Sequence, residues 1–300
     1  MPAAEHKKGV ILALCAYFFW GFAPLYFKLL GDTSATEILI HRVIWSFIFM
    51  VILMSGFGGF GRLRLLFKEP KRLGVLAITS MLIAGNWLLF IWAVNNDHML
   101  DASLGYFINP LFNVLLGMLF LGERLRKLQW FAVALAAGGV LIQLISFGSI
   151  PVLSLALASS FGVYGLLRKK ANVDAKTGLL VETAILFPVA ILYLVFAQDS
   201  QTANMLTNDL NTNLLLMAAG IVTTVPLLCF AGAAVRIPLS MLGFFQYIGP
   251  SIMFILAVSL FGEPFDGEKG VTFGFIWCAL FVFTFDMLHR RRKNKPQKLT

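Results

Sequence analysis

Charge is what this chain has least of. Of its 300 residues only 13% are Asp, Glu, Lys or Arg, whereas 59% are hydrophobic and the mean hydropathy is +0.83. A soluble domain carries roughly 25% charged residues, so a soluble globular protein is excluded. Histidine is scarce as well. Of the four present, His6, His98 and His289 flank apolar runs, and no HExxH pattern occurs. The zinc-dependent membrane enzymes that need such a helix are therefore excluded. The three cysteines, Cys15, Cys229 and Cys278, fall in separate apolar runs with no CxxC spacing. Neither a disulfide framework nor a metal site is expected from them. Alternating segments of roughly 10 residues, the mark of a membrane β-barrel, are also missing.

What the chain has instead is a series of long apolar runs. Ten are expected to be helices: 9–30, 36–56, 73–95, 100–121, 128–147, 149–168, 177–197, 212–234, 239–261 and 269–289. About 20 residues suffice to cross a hydrocarbon core of about 30 Å. The first run follows Lys7-Lys8 but is too long for a signal-peptide core and has no cleavage site after it, so it reads as a retained helix. Between the runs, charge is sorted by side. With the amino terminus cytoplasmic, nearly all the basic residues lie on the inner connections and tail, the exceptions being Lys28, Arg42 and Lys269. Outer loops are acidic or neutral. That bias follows the positive-inside rule and places both termini in the cytoplasm of a multi-pass inner (plasma) membrane protein. The net charge of +9 is then a topology signal. The partners expected are membrane lipid and a small-molecule substrate, with no nucleic acid and no cofactor.

The second half repeats the first. Pro110 precedes Gly122-Glu123 by the same interval at which Pro250 precedes Gly262-Glu263, and apolar sequence fills both intervals. An earlier echo relates AYFFWGFAPLYFK (16–28) to ASSFGVYGLLRKK (158–170). Five spans per half force the two copies to cross in opposite senses, which is the sequence signature of a secondary transporter. The expected fold is therefore all-α integral membrane, with ten transmembrane helices in two inverted five-helix repeats, residues 1–147 and 148–300. Pro110 and Pro250 both fall near the middle of their spans, where helix breaks would create a binding site. The stretch 56–72 is expected to include a short basic amphipathic piece on the inner leaflet. The polar segment 198–213 is expected to be a surface connection.

The run LGERLRKLQWFAVALAAGGVLI (121–142), Trp20-Gly21 and the five-plus-five arrangement resemble the EamA branch of the drug/metabolite transporter superfamily. HRVIWS (41–46), NWLLFIWAVNN (86–96) and LGYFINPL (104–111) are similar to its RarD subgroup. The second half departs from the pattern: Glu182 stands where the first half has Arg42, and Gly262-Glu263 leads into Pro264 rather than a basic turn. The resemblance implies ten helices, alternating access and export of small organic solutes. A label linking RarD-like proteins with chloramphenicol comes with it and identifies no substrate.

Within the spans, polar side chains are the candidates for function. Arg42 lies about 9 Å below the outer surface, and burying it costs on the order of 2.5–3.5 kcal/mol. It is expected either to contact a carboxylate or other polar group of a substrate, or to clamp helices through backbone carbonyls or an outer carboxylate such as Glu37. His41 faces another direction on the same helix and reads as a transport or packing residue. Glu182 is the candidate for proton coupling, with pairing to a Lys or Arg near the cytoplasmic edge as the alternative. Asp286 is expected to be neutralised by the basic tail. Substrate contacts are expected from Asn109, Tyr106, Gln246 and Trp20, and also from Asn86 and Tyr164, because amides and aromatic faces suit planar or apolar solutes. Ala134/Gly138 and Ala158/Gly162 are expected to allow close helix packing or a homodimer.

Overall fold

A computed structural model describes residues 3–30, 33–57, 60–96, 99–148, 150–196, 200, 202, 205–260 and 267–293. The markers Gly262-Glu263 and Pro264 lie outside these. Every regular element among the described residues is a helix: α1 (Ala3–Leu29), α2 (Ala35–Phe57), α3 (Phe60–Leu66), α4 (Pro70–Asn95), α5 (Met99–Leu121), α6 (Lys127–Phe147), α7 (Val152–Ala171), α8 (Ala175–Phe196), α9 (Leu210–Ala234), α10 (Leu239–Gln246), α11 (Ile248–Ser259) and α12 (Gly267–Lys293). Local sequence sets their ends. Pro70 opens α4, where its missing amide is not needed. Asp209 caps α9 by accepting from the Thr212 amide at 3.1 Å, and bonds from Thr212 hold its carboxyl below the usual range. The short α3 is the piece expected between spans two and three.

Nine helical stretches among the described residues are long and apolar enough to cross a membrane, with Leu239–Leu256 counted as one. Their outward faces carry Phe18, Phe19, Ile52, Leu119, Ile145, Val195 and Phe281, all exposed. Hydrocarbon accepts such a surface and water does not. The expected sixth span, α7, is absent from the nine. Ser154, Ser159 and Ser160 and the terminal Arg168-Lys169-Lys170 lower its hydropathy. It packs against α4, α5 and α9.

Two expected breaks fall differently. The helix α5 runs unbroken through Pro110. The other span divides into α10 and α11 at Tyr247, three residues ahead of Pro250. Proline at position i leaves the carbonyl at i−4 without its helical donor, so Tyr106 and Gln246 are the carbonyls so released.

Contacts come in exchangeable sets. α1 packs on α9 as α7 packs on α4, α2 on α9 as α8 on α4, and α1 on α11 as α7 on α5. Three further contacts, α2 with α8, α5 with α10 and α6 with α12, join corresponding elements. The small-residue positions serve these joints. A methyl on Gly162 would stand 2.6 Å from the Phe112 ring, and one on Gly138 would stand 3.4 Å from the Phe275 ring.

Candidate functional site

The polar candidates gather into separate clusters along the bundle. On α2, Arg42 donates from Nε to Thr223 Oγ1 of α9 at 2.8 Å. Its guanidinium carbon lies 4.7 Å from the Trp87 ring centroid and 5.6 Å from that of Phe27. Cation–π contacts of this kind stabilise a charge that has left water. The Tyr26 and Tyr106 hydroxyls are within reach of its field, and Tyr106 remains 43% exposed. Glycine makes the Thr223 bond possible. A methyl on Gly220 would come within 2.4 Å of the Trp45 backbone, so the absent side chain brings α9 against α2 one turn from Thr223. The alternative partner Glu37 is engaged elsewhere. It accepts from the Thr202 amide at 2.9 Å and from the Thr202 hydroxyl. His41, on the same side of α2, meets that hydroxyl through Nε2 at 3.0 Å. Thr202, within the segment expected to be a surface connection, is thus buried against α2.

The corresponding charge in the second half, Glu182, is 1% exposed. Thr79 Oγ1 of α4 donates to its Oε1 at 2.6 Å, and Tyr164 OH of α7 donates to Oε2 at 3.4 Å. Arg168 Nη1 stands 3.7 Å from Oε1. Arg168 was expected on an inner loop, as one more topology charge, yet it is 1% exposed. Gly178 gives it room, since a methyl there would lie 1.9 Å from Nη1. The arrangement mirrors that of Arg42: each charge bonds to a threonine on a helix of the other half. Pairing therefore accounts for Glu182 without any solute. Sequence reasoning missed Arg168, Thr79 and Thr223; only the Thr223-Thr224 pair, polar in the middle of an apolar run, gave a readable signal.

Near the middle of the bundle, Asn113 Nδ2 donates to Asn109 Oδ1 at 2.8 Å and to Gln246 Oε1 at 3.1 Å, while Asn109 Nδ2 donates to the Ala158 carbonyl at 2.9 Å. This chain ties α5 to α7 and α10. Trp20 lies instead among aromatic rings, 5.7 Å from Tyr17, 6.0 Å from Phe161 and 5.9 Å from Phe230. Asn86 bonds to the Leu157 carbonyl and to Ser160 Oγ at 2.9 and 2.8 Å. Both it and Ser160 line a groove of about 580 Å³ between α4 and α7, whose lip carries exposed Ile78 and Met81. The candidates therefore do not form one pocket. Open surface is kept at Tyr106, near Arg42, and along the groove at Asn86.

One face of the bundle, which carries the start of α1 and the end of α12, is closed by polar bonds. Gly122 adopts φ +65° and turns the chain so that Glu123 folds back over Gly117, where a methyl would lie 2.6 Å from its carboxylate. Glu123 then caps α10: Oε1 accepts from the Leu239 amide at 2.6 Å, and Oε2 accepts from the Ser240 amide and hydroxyl at 2.9 and 2.6 Å. A carboxylate at a helix amino terminus satisfies free amides and meets the positive end of the dipole. Lys169 Nζ donates to the carbonyls of Ala234 (3.0 Å) and Ile237 beside it. Arg236 pairs with Glu5 at 2.7 Å. Asp286 pairs with Arg126, also at 2.7 Å, while the side chains of the basic tail lie outside the described residues.

Residues 7–145 match the model of the EamA-like transporter family. "Protein RarD" of Salmonella typhi is 59% identical over 98% of this chain and 100% of that protein. An "Uncharacterized transporter" of Vibrio cholerae is 58% identical over 95% of this chain and 94% of that protein. A solved crystal structure with 19% identity superposes with a TM-score of 0.71 over 92% of this chain and 97% of that one, which shows a shared fold. Matched from end to end by such relatives, this multi-pass membrane protein belongs to the EamA-like transporter family, among its RarD-like members.

Proposed function

We propose that this protein exports a small organic solute across the cytoplasmic membrane by alternating access, with residues 1–147 and 148–300 as inverted repeats and both termini in the cytoplasm. The exchangeable contact sets support the repeat, and the basic inner connections support the orientation. The observation that carries the reading is the Glu123 cap on α10. It joins the halves at the basic face through groups that water can satisfy equally well, so the joint can open without leaving buried polar atoms unpaired. Toward the opposite face lies Arg42, with the exposed Tyr106 near it. Rocking the halves would exchange which face is closed, and the α10–α11 junction at Tyr247 supplies a point of bending. In this reading Glu182 holds α8 to α4 and α7, and Asn109, Asn113 and Gln246 hold α5 to α7 and α10.

Inside-out vesicles containing the protein provide the test. Energised wild-type vesicles should accumulate a solute from a mixed small-molecule extract that vesicles lacking the protein do not. The Arg42→Ala variant should lose most of that uptake. Equal accumulation with and without the protein rejects export, and full transport by Arg42→Ala rejects the site.

A further inference from the structure

We infer that the Arg42 guanidinium binds the carboxylate of a monoanionic organic solute whose remaining body is flat or apolar. The inference rests on the transporter reading for its biological meaning and on the geometry for its chemistry.

Three observations meet at this point. Arg42 makes one hydrogen bond among the described residues, from Nε to Thr223, and no carboxylate lies within ion-pair distance of it. Its two terminal nitrogens have no partner among the described residues, and they are absent from the sealed atoms that lack one, which do include the nitrogens of Arg168. They are therefore not wholly sealed by protein. A guanidinium held through Nε presents those nitrogens as a fork that matches two carboxylate oxygens.

The surroundings select the rest of the ligand. Trp87 and Phe27 lie under the guanidinium, and Tyr106 is open beside it with its own ring 5.9 Å from Phe90. Aromatic walls around a single charge favour a solute with one charged end and an apolar body. Charge balance limits that end. One described cation neutralises one negative charge, and a phosphate dianion would carry an unbalanced charge into the span. A zwitterion would need an acceptor for its ammonium, and the nearest described acid on this helix, Glu37, is bonded to Thr202.

The test uses the purified full-length protein in nanodiscs. Thermal midpoints are read against benzoate, phenylacetate and indole-3-acetate, the corresponding amides, phenylalanine, tryptophan and phenyl phosphate. Ligands that bind the folded state raise its midpoint with concentration. At least one of the three acids should do so, with its amide weaker by about tenfold or more, as expected for losing a charged hydrogen-bond partner. Arg42→Gln should abolish the shift. Arg42→Lys should keep a reduced one, because it keeps the charge and loses the fork. Midpoints without ligand serve as the folding control for every variant. If Arg42→Gln does not fold, the Arg42→Lys comparison decides.

No shift with any acid, equal shifts with acid and amide, or an undiminished shift in Arg42→Gln would overturn the inference. So would tighter binding of phenyl phosphate or of the amino acids. Proteoliposome flux separates the two readings. Arg42-dependent binding without flux leaves the anion site standing and rejects transport, and flux of a solute with no acid binding does the reverse.

Discussion

Glu123 and Ser240 are joined twice through one oxygen: Oε2 of the first half's glutamate accepts from both the amide and the hydroxyl of the second half's serine, at 2.9 and 2.6 Å. With the Leu239 amide on the other oxygen, a single side chain closes the α10 amino terminus. Charge-assisted bonds to backbone amides are among the stronger ones available to a protein. Glu123→Ala should therefore lower folding stability by about 1.5–3 kcal/mol. Ser240→Ala, which removes only the hydroxyl, should cost about 1 kcal/mol. Urea denaturation in a fixed detergent measures both. Equal losses in the two variants would show that the amides are not held by the carboxylate.

The turn that delivers Glu123 depends on its glycine. At φ +65° a side chain on residue 122 meets the following carbonyl, at a cost of roughly 1–2 kcal/mol. Gly122→Ala should lose that amount, and most of the loss should persist in a Glu123→Ala background, because backbone strain does not depend on the cap. A chemical-denaturation series of the two single variants and the double variant checks this.

Arg168 and Glu182 should show strong coupling. Removing either member alone, as in Arg168→Met or Glu182→Leu, strands a buried charge and should cost about 3–5 kcal/mol. The double variant should recover a large part of the loss, since apolar replacement of a buried pair is often neutral or better. A double-mutant cycle on purified protein measures the recovery. Additive losses would mean that the 3.7 Å approach contributes nothing.

Gly178→Ala should act on the same pair from outside it. The new methyl would occupy space 1.9 Å from Arg168 Nη1, so either the guanidinium or the α8 backbone must shift, typically for about 1–3 kcal/mol. Placed in the Arg168→Met background, the substitution should become much milder. Thermal midpoints of the four proteins decide the matter.

Much of the fold was legible because apolar length and charge sorting are one-dimensional signals. The runs in α2, α8 and α9 could be counted directly, and Pro110 with Gly122-Glu123 marked a true turn. Other features needed the third dimension. Arg168 reads in sequence as one of three consecutive basic residues at a helix end, and its burial follows from Gly178 on a different helix, which removes the atom that would have blocked it. Arg42 was conspicuous as a lone charge in a span, but Thr223 became its partner only because Gly220 brings α9 against Trp45. Asn109 and Gln246 were expected to meet a solute; the structure shows both bonded to Asn113, a partner that spacing along the chain does not encode.

The account turns on whether the basic face opens where Glu123 meets α10. With Cys15, Cys229 and Cys278 replaced by serine, spin labels at the exposed positions Arg124 and Lys170 report the distance across that face by pulsed electron resonance in nanodiscs. Two distance populations should appear in the wild-type background, and Glu123→Gln should shift weight to the longer one. A single distance, unchanged by Glu123→Gln, would contradict alternating access through this joint.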